Sequence, residues 1–287
     1  MKKVRIIKAF LVLLAGVLML SACGDRSSTN EKSTSSQKTE ETVQKSDIPT
    51  LFIHGYGGTI NSFGGMIQRM EKQTITKKEA IITVMPDGSL QTEGTLTDQK
   101  NNPSIQVLFS DNVNNEWNQT EWIYQVMKFL KEQGIEKVNV VGHSMGGVSS
   151  LRYLTTYGQP EDAPEIVKFV AIGSPFNDFV DTSAEQDLKN LTENGPAQES
   201  SRYTDYRAGI NNLPKKLPIL LIGGKLSEEA ADDGTVPLSS ALSIRSLLKS
   251  NGNPVSLEIF TGEKAQHSQL HENTDVDKKV ANFLWKE

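Results

Sequence analysis

Ser144 sits in Gly142-His143-Ser144-Met145-Gly146, a G-x-S-x-G pentapeptide. The β-branched run Val138-Asn139-Val140-Val141 precedes it, and Met145 to Tyr153 after it suits a helix. Strand, pentapeptide and helix in direct succession are the context of a nucleophile elbow, which holds a serine on a sharp turn with its hydroxyl exposed. Gly142 and Gly146 are small because strand and helix pass close together there, so that a side chain at either position would collide across the turn. These flanks favour the elbow over a glycine-rich helix start whose serine does nothing.

A serine hydroxyl is a poor nucleophile at neutral pH and needs a histidine to take its proton and an acid to orient that histidine. With a serine on such an elbow, the chain order is serine, then Asp or Glu, then histidine. Of the four histidines, His54 lies upstream and His143 adjoins the serine and must point elsewhere, which leaves His267 and His271. His267 is preferred because it leaves the preceding strand sooner, whereas His271 could serve as a contact at a helix start. For the acid, the segment after Leu217 to Ile222 offers Glu228, Glu229, Asp232 and Asp233. Asp233 heads Asp-Gly-Thr-Val-Pro, a tight turn that would fix its carboxylate. Asp232 is its near competitor, Asp178 and Asp181 are weaker ones, and an ordinary turn aspartate is the alternative reading of Asp233.

Acyl chemistry also requires donors for a developing oxyanion, each worth about 3 kcal/mol. The Met145 N–H is one candidate, at the start of the elbow helix. The other is the Tyr56 N–H in His54-Gly55-Tyr56-Gly57-Gly58, a glycine-rich loop after the first apolar run.

These groups need a frame, and the pattern supplies one. Short apolar runs at Pro49 to His54, Ala80 to Met85, Ile105 to Phe109, Val138 to Val141, Ile166 to Ile172, Leu217 to Ile222 and Val255 to Phe260 alternate with amphipathic segments. Such alternation predicts an α/β fold with a mostly parallel sheet flanked by helices. Helices are expected at Phe63 to Met70, Trp117 to Lys131, Ser240 to Leu248 and Val276 to Trp285, and a hairpin partner at Ser89 to Leu96 after Pro86-Asp87-Gly88. The long polar segment 177–214, with weak helical signals at Ser183 to Leu191 and Ser200 to Arg207, is expected to form a cap insertion over the site.

The N-terminal part reads differently. Met1 to Lys8 is basic, Ala9 to Leu20 is 12 apolar or small residues, and Leu20-Ser21-Ala22-Cys23 follows. Twelve residues are too few to span a bilayer, so residues 1–22 read as a signal peptide. Leu-Ser-Ala-Cys resembles the lipobox of bacterial lipoproteins, which implies that Cys23, the sole cysteine, becomes a lipidated N-terminus. The polar segment 24–47 cannot bury enough surface to fold and reads as a tether, with one domain at 48–287. The net charge is −5, and loss of Lys2, Lys3, Arg5 and Lys8 with the leader takes it to −9, which argues against nucleic acid as a partner.

His-Gly-Tyr-Gly-Gly, Gly-His-Ser-Met-Gly-Gly, Asp-Gly-Thr-Val-Pro and His-Ser-Gln-Leu-His-Glu-Asn occur in this order. Together they resemble the α/β-hydrolase superfamily, in particular a lipase-like branch of secreted or membrane-anchored proteins of Gram-positive bacteria. The resemblance covers Ile48 to about Trp285 and implies Ser144 as nucleophile, Asp233 as acid and His267 as base. The expected function is a serine hydrolase cleaving carboxylic esters, from small molecules or lipids, through an acyl-enzyme. It would be displayed on a lipid anchor at the extracellular face of the cytoplasmic membrane. An acyltransferase or thioesterase with the same triad, and a non-catalytic binding lipoprotein, are the alternatives. No metal or organic cofactor is implied, since H-E-x-x-H, a cysteine pair and a P-loop are all missing from the sequence.

Overall fold

Residues in the apolar runs face alternate sides, as the two-residue repeat of a strand requires. Leu51, Ile53, Val140, Phe169, Ala171, Ile219 and Leu221 enter one core, while Phe52, Val141, Val170, Ile172, Leu220 and Ile222 enter a second. A sheet with both faces apolar must be covered twice, and the computed structural model, which describes residues 43–286, shows helices on both sides. The expected leader, Cys23 and tether residues up to 42 lie outside the described residues.

The strands are β1 (Thr50–Ile53), β2 (Lys77–Val84), β3 (Leu90–Gly94), β4 (Pro103–Phe109), β5 (Lys137–His143), β6 (Glu165–Ile172), β7 (Phe176–Phe179), β8 (Ile219–Lys225) and β9 (Val255–Thr261). The helices are α1 (Asn61–Lys72), α2 (Glu116–Glu132), α3 (Met145–Tyr157), α4 (Leu188–Asn194), α5 (Ser201–Gly209), α6 (Leu238–Leu242), α7 (Arg245–Ser250) and α8 (Thr274–Trp285). An eight-stranded sheet runs in the order β3-β2-β4-β1-β5-β6-β8-β9, and only the β2–β3 pair is antiparallel. The carboxyl ends of the parallel strands therefore share one edge, where ligand sites of such sheets form. Helices α1 and α8 cover one face, while α2, α3, α6 and α7 cover the other. Among the described residues no helix is long and apolar enough to cross a membrane.

Three details differ from the sequence reading. The segment expected as one helix over Ser240 to Leu248 is broken into α6 and α7 at Ser243, whose N–H (3.3 Å) and hydroxyl (2.8 Å) both turn to the Ser240 carbonyl, three residues back rather than four. The first insertion helix starts at Leu188 rather than Ser183, since the Asp187 carboxylate caps it by accepting from the Asn190 N–H (2.7 Å). The chain also joins the fold before Ile48. Gln44 N–H donates to the Trp285 carbonyl (2.7 Å), and Ser46 exchanges two bonds with Asn102. The insertion itself comprises β7, α4, α5 and a 3-10 turn at Ile210–Asn212, packed against α3, α6 and α7.

Candidate active site

Ser144 joins β5 to α3 with φ 53° and ψ −124°, a backbone setting that a non-glycine residue adopts only under constraint from its surroundings. That constraint comes from close packing on both sides of the turn. A Cβ at Gly142 would stand 2.5 Å from the Gly147 nitrogen, and one at Gly146 would overlap the Ile53 carbonyl and lie 2.6 Å from that of His54. Gly146 thus answers to β1, the neighbouring strand, as well as to the turn itself. The Ser144 N–H is tied to the Ile172 carbonyl of β6 (2.9 Å), and its side chain stays partly exposed at the sheet edge.

The loops after β8 and β9 bring two further groups to this serine. His267 Nε2 lies 3.0 Å from Ser144 Oγ, and His267 Nδ1 lies 2.8 Å from Asp233 Oδ2. A carboxylate can only accept, so the Asp233 bond assigns the proton to Nδ1 and leaves Nε2 free to accept from the hydroxyl. Asp233 is itself fixed, its Oδ1 accepting from the N–H groups of Thr235 (3.0 Å) and Val236 (2.7 Å). The other acid candidates are engaged elsewhere. Asp232 accepts from the Gly234 N–H, Asp178 pairs with Arg202, Asp181 takes the Ser239 hydroxyl, Glu228 pairs with Lys225, and Glu229 accepts from Ser227. His271 turns to Glu272 Oε1 (3.2 Å) and makes no bond to Ser144 among the described residues.

The glycine-rich loop after β1 presses against Ser144, since a Cβ at Gly55 would stand 2.7 Å from Ser144 Cβ and 3.3 Å from its Oγ. Buried His54 organises it. Nε2 of His54 accepts from the Phe109 N–H (3.0 Å), which leaves its Nδ1–H to donate to the Gly55 carbonyl (2.7 Å). The Gly58 N–H donates to that same carbonyl (3.0 Å). Because the peptide is planar, fixing the Gly55 carbonyl also fixes the Tyr56 N–H that points the opposite way. Gly57 N–H is used by the Asn112 carbonyl, whereas Tyr56 N–H has no hydrogen-bond acceptor among the described residues. Met145 N–H opens α3, in the first turn, where helix N–H groups lack intrahelical partners. Burial, only partly offset by its bond to Gly55, holds His54 below the ordinary imidazole range.

Two clusters around the site escaped the sequence reading. His143, set aside there as a neighbour of the serine, inserts its ring between His267 and His271, with ring centroids 4.6 and 4.8 Å away. Glu116 looks like an exposed acid at a helix start, yet it is buried between Arg152 (Nε, 3.1 Å) and Arg202 (Nε, 2.8 Å) and thereby ties α5 of the insertion to α2 and α3. The sequence holds little signal for it: Arg152 has no acid within four residues, but Arg202 has Glu199 and Asp205 three residues to either side, so its bond to Glu116 emerges only once the insertion has been placed.

Over residues 37–287 the chain matches a family described as an alpha/beta hydrolase of unknown function, DUF915. Among solved structures it is similar to the product of the gene lin2722 of Listeria innocua, with 30% identity and a TM-score of 0.75 over 83% of this chain and 93% of that one. It is also similar to a Lactobacillus plantarum protein named provisionally as a cell surface hydrolase, with 22% identity and a TM-score of 0.63 over 83% of this chain and 89% of that one. No curated protein matches. The fold is thus the α/β-hydrolase fold, a mostly parallel sheet flanked by helices.

Proposed function

The chain belongs to the DUF915 family of α/β hydrolases, and from that premise we propose that it is a serine hydrolase cleaving carboxylic esters through an acyl-enzyme. The observation that carries this reading is the line from Asp233 Oδ2 through His267 to Ser144 Oγ, at 2.8 and 3.0 Å.

In this reading His267 Nε2 takes the Ser144 proton as Oγ attacks the ester carbonyl, while Asp233 holds the ring and stabilises the imidazolium that forms. The N–H groups of Met145 and Tyr56 receive the oxyanion. His267 then returns its proton to the leaving alcohol, and the acyl group remains on Ser144. A water molecule, deprotonated by the same nitrogen, attacks the acyl-enzyme, and collapse of the second tetrahedral intermediate releases the acid and restores the serine.

The sequence of the leader supports a setting for this chemistry. Residues 1–22 are removed, Cys23 carries a lipid anchor, a polar tether follows, and the hydrolase domain with its insertion stands outside the cytoplasmic membrane. The substrate is a small-molecule or lipid ester.

The test offers aryl esters of increasing acyl length to the full chain and to its Ser144→Ala form. Loss of turnover by about 10⁵-fold or more in the variant is expected for removal of a nucleophile of this type. Equal turnover by the two proteins would sink the proposal. A fluorophosphonate probe adds a second check, since failure to label Ser144 in the folded protein would leave a binding lipoprotein as the better reading.

A further inference from the structure

The residue before the nucleophile has no part in the reaction as written, yet its ring is almost fully buried within the site. His143 Nε2 lies 3.0 Å from the main-chain carbonyl of His267. A carbonyl can only accept, so Nε2 carries the hydrogen and His143 donates. On the other side of the same residue, the His267 N–H donates to the Asp233 carbonyl (2.8 Å). Both peptide groups flanking the His267 Cα are therefore held, one by the acid and one by the neighbour of the nucleophile.

The clamp continues outward. The His271 carbonyl, four residues on, accepts from Arg69 Nη2 (2.9 Å), and Arg69 is braced by Asp277 (2.6 and 3.0 Å) and Glu272 (2.7 Å). Burial first, and then the neighbouring rings of His267, His271 and His54, hold His143 well below the ordinary imidazole range. Its ring is thus a neutral donor of fixed tautomer that forms one wall of the base.

Resting on the proposed catalytic roles of Ser144 and His267, we propose that His143 is a positioning residue: its Nε2–H fixes the His267 main chain so that Nε2 of the base stays in line with Ser144 Oγ. The physical reason is leverage. His267 reaches Ser144 and Asp233 through a side chain with two rotatable bonds, so a main-chain shift of a few tenths of an ångström moves both contacts together. Displacements near 1 Å in a catalytic constellation lower rates by about a hundredfold.

The test separates the donor from the volume it fills. His143→Phe keeps an aromatic ring and removes the donor, whereas His143→Gln can place an amide N–H near the original Nε2. In the full chain, His143→Phe should lower kcat on an aryl ester about 10- to 100-fold with KM changed by less than about twofold, and slow fluorophosphonate labelling of Ser144 by a similar factor. His143→Gln should recover most of both rates. Wild-type kcat in His143→Phe, or equal impairment of the two variants, would overturn the proposal, the second outcome because it assigns the effect to packing alone. A measurement that needs no variant is ring-¹⁵N NMR of the unmodified protein, where the Nε2–H tautomer of His143 is expected and an Nδ1–H tautomer would overturn the role. Ser144→Ala separates the two levels. If it is inactive while His143→Phe is fully active, only the positioning role fails; if it is as active as wild type, the hydrolase reading fails and the positioning role with it.

Discussion

Two segments rise from the same edge of the sheet and are held in different ways. The loop at 262–273 after β9 is gripped through its main chain, where the His267 N–H, the His267 carbonyl and the His271 carbonyl bond Asp233, His143 and Arg69. The insertion between β6 and β8 is gripped mainly by side chains at its root. Arg202 reaches Glu116, the Pro175 carbonyl and Asp178, and Ser239 and Ser240 hydroxyls accept from the Thr182 and Asn177 N–H groups. Beyond that root lies mostly exposed surface, including Phe179 at 63%. The contrast teaches a division of labour. Main-chain clamps set where an atom is, to fractions of an ångström, whereas side-chain bonds at the root hold the insertion to the sheet and leave most of its outer surface to solvent.

The largest expected effect breaks the first grip at its chemical end. In Asp233→Asn the amide oxygen can still accept from the Thr235 and Val236 N–H groups, which turns the NH₂ toward His267 Nδ1. Two donors cannot pair, so the proton must move to Nε2, where it can no longer accept from Ser144. A fall in kcat of about 10⁴-fold is expected with stability little changed. A fall below tenfold in a steady-state assay would contradict the assigned tautomer. The insertion should keep its wild-type protease resistance in this variant.

The complementary variant strikes the second grip. Glu116→Gln leaves the guanidinium groups of Arg152 and Arg202 without the buried carboxylate between them, although Asp205 and Asp178 still contact their outer nitrogens. Breaking a buried pair on one side costs about 3–5 kcal/mol. The lower end is expected here because those outer partners remain, and denaturant unfolding would measure it. Proteolysis should appear first within 183–199, with the Ser144 labelling rate less affected than in Asp233→Asn. If labelling fell as far as in Asp233→Asn, the two grips would not be separate.

These two regions were also unequally legible in the sequence. The sheet could be read because its strands are apolar on both faces, and the Ser144 elbow because its strand and helix are contiguous with it. Asp233 and His267 followed from chain order and local turn chemistry. His143 could not, because its partner lies 124 residues away, and neither could Arg69, whose partners are 202 to 208 residues away. Local rules failed where a single polar side chain decides: within the insertion Asp187 sets where α4 begins, and after β8 the chain turns between α6 and α7 at Ser243, whose hydroxyl bonds the Ser240 carbonyl. Val43 to Asp47 looked too polar to fold, yet Asn102 and Trp285 supply bonds that no window of composition contains.

A milder perturbation than either variant is acid, and it should act on one region only. Burial is the first cause that lowers His54, His143 and His271 below the usual 6.5. His143 faces His267, His271 and His54, while His271 faces Glu272, which pulls the other way, together with His267 and Arg69. Between the lowered native values and about 6.5, the unfolded chain binds more protons than the folded one, so acid favours unfolding. Stability from these rings is complete above about pH 6.5 and is lost as pH falls below it, by at most about 1.4 kcal/mol per pH unit for each ring. Asp277, raised by burial despite Arg69, contributes with the opposite sign, but only at pH values nearer the carboxylate range. The insertion contains no histidine, and Arg152 and Arg202 at its root keep their charge throughout this window. Unfolding free energy should therefore rise with pH between 5 and 6.5, with a shallower slope in His143→Phe. Amide exchange at pH 5.5 should quicken in 262–273 before it does in α5. A flat profile, or earlier opening of α5, would mean that the two segments share one source of stability after all.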